Sequence, residues 1–156
     1  MKIRNLLFGI LLVACTTAFA QKTPVMIIMK DGSTHEGVHF GQLKCGKDSY
    51  RDNFIILKGI YNGNTQEIKD YSKISKLVLE GFTQPPVASV GNQKGTVRVF
   101  KKDGLSVTLT EAELIMSCYA TGDLYNQIVI QSINPLTDKV EEVTLDIKDI
   151  QSINFR

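Results

Sequence analysis

His35-Glu36-Gly37-Val38-His39 is a literal H-E-x-x-H. On a helix this spacing puts two imidazoles one turn apart on one face. They can then bind Zn²⁺, while the glutamate between them activates a metal-bound water. The surrounding residues argue for a different geometry. The motif begins three residues after Asp31-Gly32, a dipeptide that reads as a hairpin turn. In the strand that follows such a turn, four residues span about 13 Å. Two ligands that must each lie ~2.0–2.1 Å from one metal cannot be that far apart. Gly37 would also weaken a helix here by about 1 kcal/mol. The chain has no histidine besides these two, so a third ligand would have to be a carboxylate such as Glu67 or Glu80. The expectation is two strand histidines beside a glutamate, with no metal, no cofactor and no catalytic residues. A small zinc-dependent hydrolase using His35, Glu36 and His39 is the alternative.

Other chemistry has less support. A Ser/His/Asp or Cys/His set would have to use His35 or His39, both in the same short stretch. Cys45 and Cys118 are not in a C-x-x-C, and no basic cluster adjoins them to lower a thiol pKa. Neither a P-loop nor G-x-G-x-x-G occurs, and Gly59–Asn64 reads as a hairpin loop rather than a phosphate cradle.

The elements that would position these residues are framed by composition. The 156 residues carry 18 Lys+Arg against 16 Asp+Glu, with 43% hydrophobic residues and no Trp. Residues 1–20 hold Lys2 and Arg4 and no acid, so the remainder is formally neutral. Nucleic-acid binding, which draws on a surplus of cations, is not expected. Neither is disorder, given the apolar content and nil net charge. Residues 1–20 read as a secretory signal: a basic start, an apolar run from Leu6 to Cys15, then Ala18-Phe19-Ala20 with cleavage after Ala20. The run is shorter than the ~20 residues a transmembrane helix needs, and no other stretch approaches that length. Leu12-Val13-Ala14-Cys15 is also similar to a lipobox, in which Cys15 would be lipidated and become the new N-terminus. Both readings send the chain out of the cytoplasm, to the periplasm, the outer membrane or beyond.

The rest of the chain reads as two copies of one unit. Lys30-Asp31-Gly32 matches Lys102-Asp103-Gly104, Cys45 matches Cys118, and Ile55-Ile56-Leu57 matches Ile128-Val129-Ile130. Ile74-x-x-Leu77-x-Leu79 matches Ile150-x-x-Ile153-x-Phe155. The separation between matched positions grows only at loops, the largest step falling near Asn134–Asp138. His35-Glu36-x-x-His39 has no counterpart: the matching region is Val107-Thr108-Leu109. Residues 21–80 form the first copy, 81–95 a linker containing Pro85-Pro86, and 96–156 the second copy.

Strands are expected at 24–30, 33–40, 54–58, 65–70 and 76–80, then at 96–102, 105–110, 126–133, 139–146 and 151–155. A short polar link that can form one 3₁₀ turn precedes the last strand of each copy. Thr110–Glu113 is ambiguous, because it fits a helix-opening capping box as well as a strand, with strand preferred. Five strands with this spacing resemble an SH3-like or Sm-like small β-barrel, and the whole is similar to short secreted β-repeat proteins of Gram-negative bacteria. The resemblance implies an all-β fold: two tandem five-stranded barrels, or one β-sandwich built from the duplicated unit. It also suggests that Tyr50, Tyr61, Tyr71, Tyr119 and Tyr125 line a peptide groove of the kind SH3-like barrels carry.

After removal of residues 1–20 only Cys45 and Cys118 remain, at matched positions and in an oxidising compartment. Either they bridge the copies or each fills an apolar gap in its own copy. The functional expectation is a secreted, non-enzymatic envelope module that binds a protein, peptide or glycan. A structural subunit that self-associates through its strand edges is a third reading.

Overall fold

The computed structural model describes residues 24–40, 54–83, 92–117, 124–134 and 136–156. Among these the fold is all-β, with no α-helix. The strands are β1 (Val25–Met29), β2 (Thr34–His39), β3 (Phe54–Tyr61), β4 (Asn64–Ile68), β5 (Ile74–Glu80), β6 (Gly95–Lys101), β7 (Ser106–Ser117), β8 (Leu124–Tyr125), β9 (Gln127–Ile133), β10 (Val140–Asp146) and β11 (Ile150–Phe155). A 3₁₀ turn, Ile147–Asp149, precedes β11, where the polar link was expected. Residues 1–20, Cys45, Tyr50, Cys118, Tyr119 and most of the linker lie outside the described residues, and with them the signal, lipidation and disulfide readings.

Local chemistry explains most of the strands. In β1 every second residue is buried: Val25, Ile27 and Met29 face the core while Met26 and Ile28 are half-exposed. This is the period of two that a half-buried strand imposes. The two K-D-G turns are built alike. Gly32 and Gly104 have φ of +87° and +89°, a region that costs glycine nothing and a Cβ-bearing residue about 1 kcal/mol or more. The Gly32 N–H donates to the Met29 carbonyl and that of Gly104 to the Lys101 carbonyl. The Asp31 carboxylate accepts from the N–H and hydroxyl of Ser33, which hold it below its ordinary pKa. Asp103 accepts from the Leu105 N–H in the same way. Each turn is a three-residue loop in which only the glycine takes positive φ, rather than a two-residue turn that needs it at both positions. Gly59, Ile60 and Tyr61 belong to β3, so the loop expected over 59–64 shrinks to an Asn62-Gly63 turn with φ of +50° and +78°.

Strand β7 settles the ambiguity at Thr110–Glu113. It runs unbroken for 12 residues, but Glu111 has φ +47°, and burial passes from Leu109 to Ala112 instead of alternating. One extra residue has been inserted. Val97 pairs with Leu109 and Gly95 with Ala112 on one side; Ile60 pairs with Thr110 and Lys58 with Glu113 on the other. This is a β-bulge, which bends the strand and lets it pair with β6 along its first half and with β3 along its second. The Thr110–Glu113 segment that fits a capping box is the bulge.

All strand pairs are antiparallel, and ten strands follow one path, β10-β9-β2-β1-β11-β5-β6-β7-β3-β4, with β8 added on β7. Setting β1–β5 against β6, β7, β9, β10 and β11 turns this order into its own reverse. Neither set of five strands is a closed unit by itself. The β1–β2 hairpin sits against β9 and β11, and the β6–β7 hairpin against β3 and β5. The path thus groups β1–β2 with β9, β10 and β11, and β6–β7 with β3, β4 and β5, while β5 and β11 pair with each other at the centre. A single apolar core runs through both halves, with Ile27, Leu57, Leu77, Val97, Ile128, Ile130 and Ile153 fully buried.

Candidate binding surface

Four regions carry residues that can do chemistry or bind. The first is the H-E-x-x-H. It lies on β2, with His35 opposite Ile27 of β1 and Glu36 opposite Met26. The Glu36 carboxylate pairs with the Arg156 guanidinium at 3.1 Å. Gly37 is packed against Val25, where a Cβ would come within 2.9 Å of a methyl group. A register shift separates Gly37 from His39 where β2 meets β9. Three residues of strand β2 separate the two histidines, and the glutamate among them is tied to an arginine. Among the described residues no group of three His, Cys, Asp or Glu side chains is placed to hold a metal ion.

Of the five tyrosines that the barrel resemblance assigned to a groove, Tyr61 and Tyr71 do not lie together. Tyr71 is buried against Phe40 and Phe155, with all three ring centroids 5.1 Å apart and its own ring stacked on Phe155. Its hydroxyl donates to the Ile55 carbonyl at 2.8 Å, and burial pushes the phenol far above its ordinary pKa. Tyr61 is exposed beside the Asn62-Gly63 turn. One ring is core and the other is at a hairpin tip, so they cannot share a surface.

The β7 bulge opens a polar concavity of about 170 Å³ lined by Lys58, Thr65, Lys94, Glu111 and Glu113. The Asn92 amide donates to Glu113 at 2.7 Å. Two cations face two carboxylates, so the hollow selects neither an anion nor a cation. A second polar cluster fastens the end of the linker. Gln93 is buried, its N–H donates to the Asn126 side-chain oxygen, and its amide donates to Asp146 at 3.1 Å. Asp146 also caps the 3₁₀ turn and pairs with Lys148 at 3.2 Å. This cluster reads as a structural clamp between the linker and the turn before β11.

The two ends of the sheet differ. Strand β4 (Asn-Thr-Gln-Glu-Ile) has a polar, exposed surface, and Glu67 pairs with Lys69. Strand β10 has no strand on its outer side among the described residues. Around it the apolar side chains of Leu136 (92% exposed), Val140 (57%) and Ile133 (50%) stand in solvent. Glu141 and Glu142 project beside them, Glu141 accepting from the Asn134 amide at 2.9 Å. An unpaired row of N–H and C=O groups next to exposed apolar side chains can accept another strand. The sequence analysis expects a strand at 139–146 but not its position in the sheet, because being at an edge is a property of the whole sheet.

The chain matches no protein-family model, no curated protein and no solved structure. Among the described residues no helix is long and apolar enough to cross a membrane.

Proposed function

We propose that the protein is an exported, non-enzymatic module of the bacterial envelope, and that it binds an extended segment of a partner protein or peptide along β10. The observation that carries this reading is the free outer side of β10 beside Ile133, Leu136 and Val140. Backbone bonds would supply affinity, and alternate side chains would supply selectivity. Glu141 and Glu142 favour a partner with Lys or Arg among its apolar residues.

A synthetic peptide alternating Lys and Val serves as the probe. It is expected to slow amide exchange in Val140–Leu145 and leave Asn64–Ile68 unchanged. Glu141→Lys and Glu142→Lys should each weaken binding roughly two- to fivefold, the range of a single cross-strand charge pair. Equal protection of both edges, or none, would overturn the β10 assignment. Pelleting with purified cell-wall glycan while the β10 amides stay unprotected would assign the partner to a glycan instead.

The export part of the proposal has its own test. Chain recovered from the envelope of producing cells should begin at Gln21 and carry no acyl group, as read by intact mass. A start at Cys15 with a lipid adduct would make it membrane-anchored.

A further inference from the structure

We infer that the surface formed by β9 and β11 is an exchange site, and that the β1–β2 hairpin of a second copy of this chain can occupy it to give a reciprocally swapped dimer. The hairpin is a self-contained unit, closed by its own K-D-G turn. Almost everything that holds it comes from the other end of the sequence. Strand β1 pairs with β11 from Val25↔Phe155 to Met29↔Ile150, and β2 pairs with β9 through Gly37↔Ser132 and His39↔Gln131.

The bonds around these ladders have the same origin. The Lys30 N–H donates to the Asp149 carbonyl at 2.8 Å, and the Arg156 N–H to the Pro24 carbonyl at 3.0 Å. The Ser132 hydroxyl donates to the Glu36 carbonyl at 2.7 Å, and the Asn154 amide to the Met26 carbonyl at 3.3 Å. Toward the middle of the chain the hairpin segment offers the Phe40 ring, against Tyr71, and its share of the common apolar core.

Contacts of this kind do not depend on which molecule supplies the hairpin. A swapped dimer would make the same ladders and the same bonds, so the two forms differ chiefly in chain entropy. Within one chain the β1–β2 hairpin is already housed by strands remote from it in sequence, β9 and β11. Residues 41–53, which join the hairpin to β3, can reach roughly 45 Å at full extension, enough to connect two adjacent molecules. This inference does not rest on the β10 reading. Association through β10 forms when folded chains are concentrated, whereas hairpin exchange requires the hairpin to leave its ladders first.

The experiment uses two full-length mature chains with Cys45 and Cys118 replaced by Ser. One carries Met26→Cys and the other Asn154→Cys. These positions are directly paired across β1 and β11, within bridging distance for neighbouring antiparallel strands. Neither chain can close that bridge alone. The two are unfolded together in urea, refolded and oxidised. A 26–154 disulfide-linked heterodimer is expected. Its yield should rise about tenfold for each tenfold rise in concentration while the total stays below the ~mM effective concentration of the cis hairpin. A control pair of Met26→Cys with Thr65→Cys, on the distant strand β4, should not show this rise.

Equal yields from the two pairs at every concentration would overturn the inference. If a cysteine variant does not refold, the unaltered mature chain in light and heavy isotope forms decides. Mixed dimers should appear by native mass spectrometry after co-refolding but not after mixing folded chains. Their absence after co-refolding, or equal amounts in both cases, would refute exchange.

Discussion

Replacing Gly95 by alanine is expected to destabilise the fold by about 3 kcal/mol, the upper end of the usual cost of overpacking. A Cβ there would lie 2.4 Å from the Phe82 ring and 2.6 Å from the Glu80 carbonyl oxygen. The ring could turn aside, but the carbonyl is backbone at the end of β5, where Glu80 pairs with Thr96. The approach is close because Gly81, at φ +70°, turns the chain after β5 so that Phe82 folds back and is buried over β6. Urea unfolding should show a lower midpoint with an unchanged slope, and the melting temperature should fall by about 10 °C. Phe82→Ala alone should cost about 3–5 kcal/mol. The double variant should cost less than the two single changes added together, because removing the ring frees part of the space that the new methyl needs. A neutral Gly95→Ala would show that β5 and β6 do not meet this closely.

The second large effect concerns Tyr71 and alkaline pH. Its phenol is buried and held protonated well above the ordinary value near 10. Below pH 10 both folded and unfolded chains keep the proton, and the contribution of the buried phenol is fully present. As pH rises past 10 the unfolded chain releases its proton while the folded chain does not. Stability then falls by about 1.4 kcal/mol per pH unit from this one group. Tyr71→Phe should remove that slope. At neutral pH it should cost ~1 kcal/mol, since the Ile55 carbonyl loses its hydroxyl donor. Tyr71→Ala should cost about 3–5 kcal/mol by opening the space between Phe40 and Phe155. A parental alkaline limb as shallow as that of Tyr71→Phe would mean that the phenol ionises in the folded state.

The legible parts of this protein share one property: each is decided within a few residues. Val25–Met29 alternates and forms a strand; Asp31-Gly32, Asn62-Gly63 and Asp103-Gly104 turn the chain because glycine takes positive φ there without strain. Nine of the ten expected strands agree with observed ones to within three residues, whereas β7 runs to Ser117 instead of ending at 110 and β8 has no expected counterpart. At β7, Thr110–Glu113 fits a helix-opening capping box as well as a strand, and the bulge at Glu111 is set by pairing with β3 and β6, which lies outside that short window. Tyr71 was offered to a groove because a tyrosine's type says nothing of which face it occupies. Its burial depends on Phe40 and Phe155, which lie far from it along the chain.

The sequence alone therefore determined the all-β class, the strands, the turns and the strand context of His35-Glu36-x-x-His39. Tertiary structure decided which strands meet: that β1–β2 pairs with β9 and β11 rather than with β3 and β5, that β5 joins β11 at the centre, and that β10 and β4 are the edges. The physical reason is that a hairpin shows the same alternation and the same turn whichever neighbour it meets. Pairing it with β9 and β11 or with β3 and β5 calls on nearly the same local pattern. The choice between them is made by long-range packing and by the reach of the connections, which no short window of sequence contains.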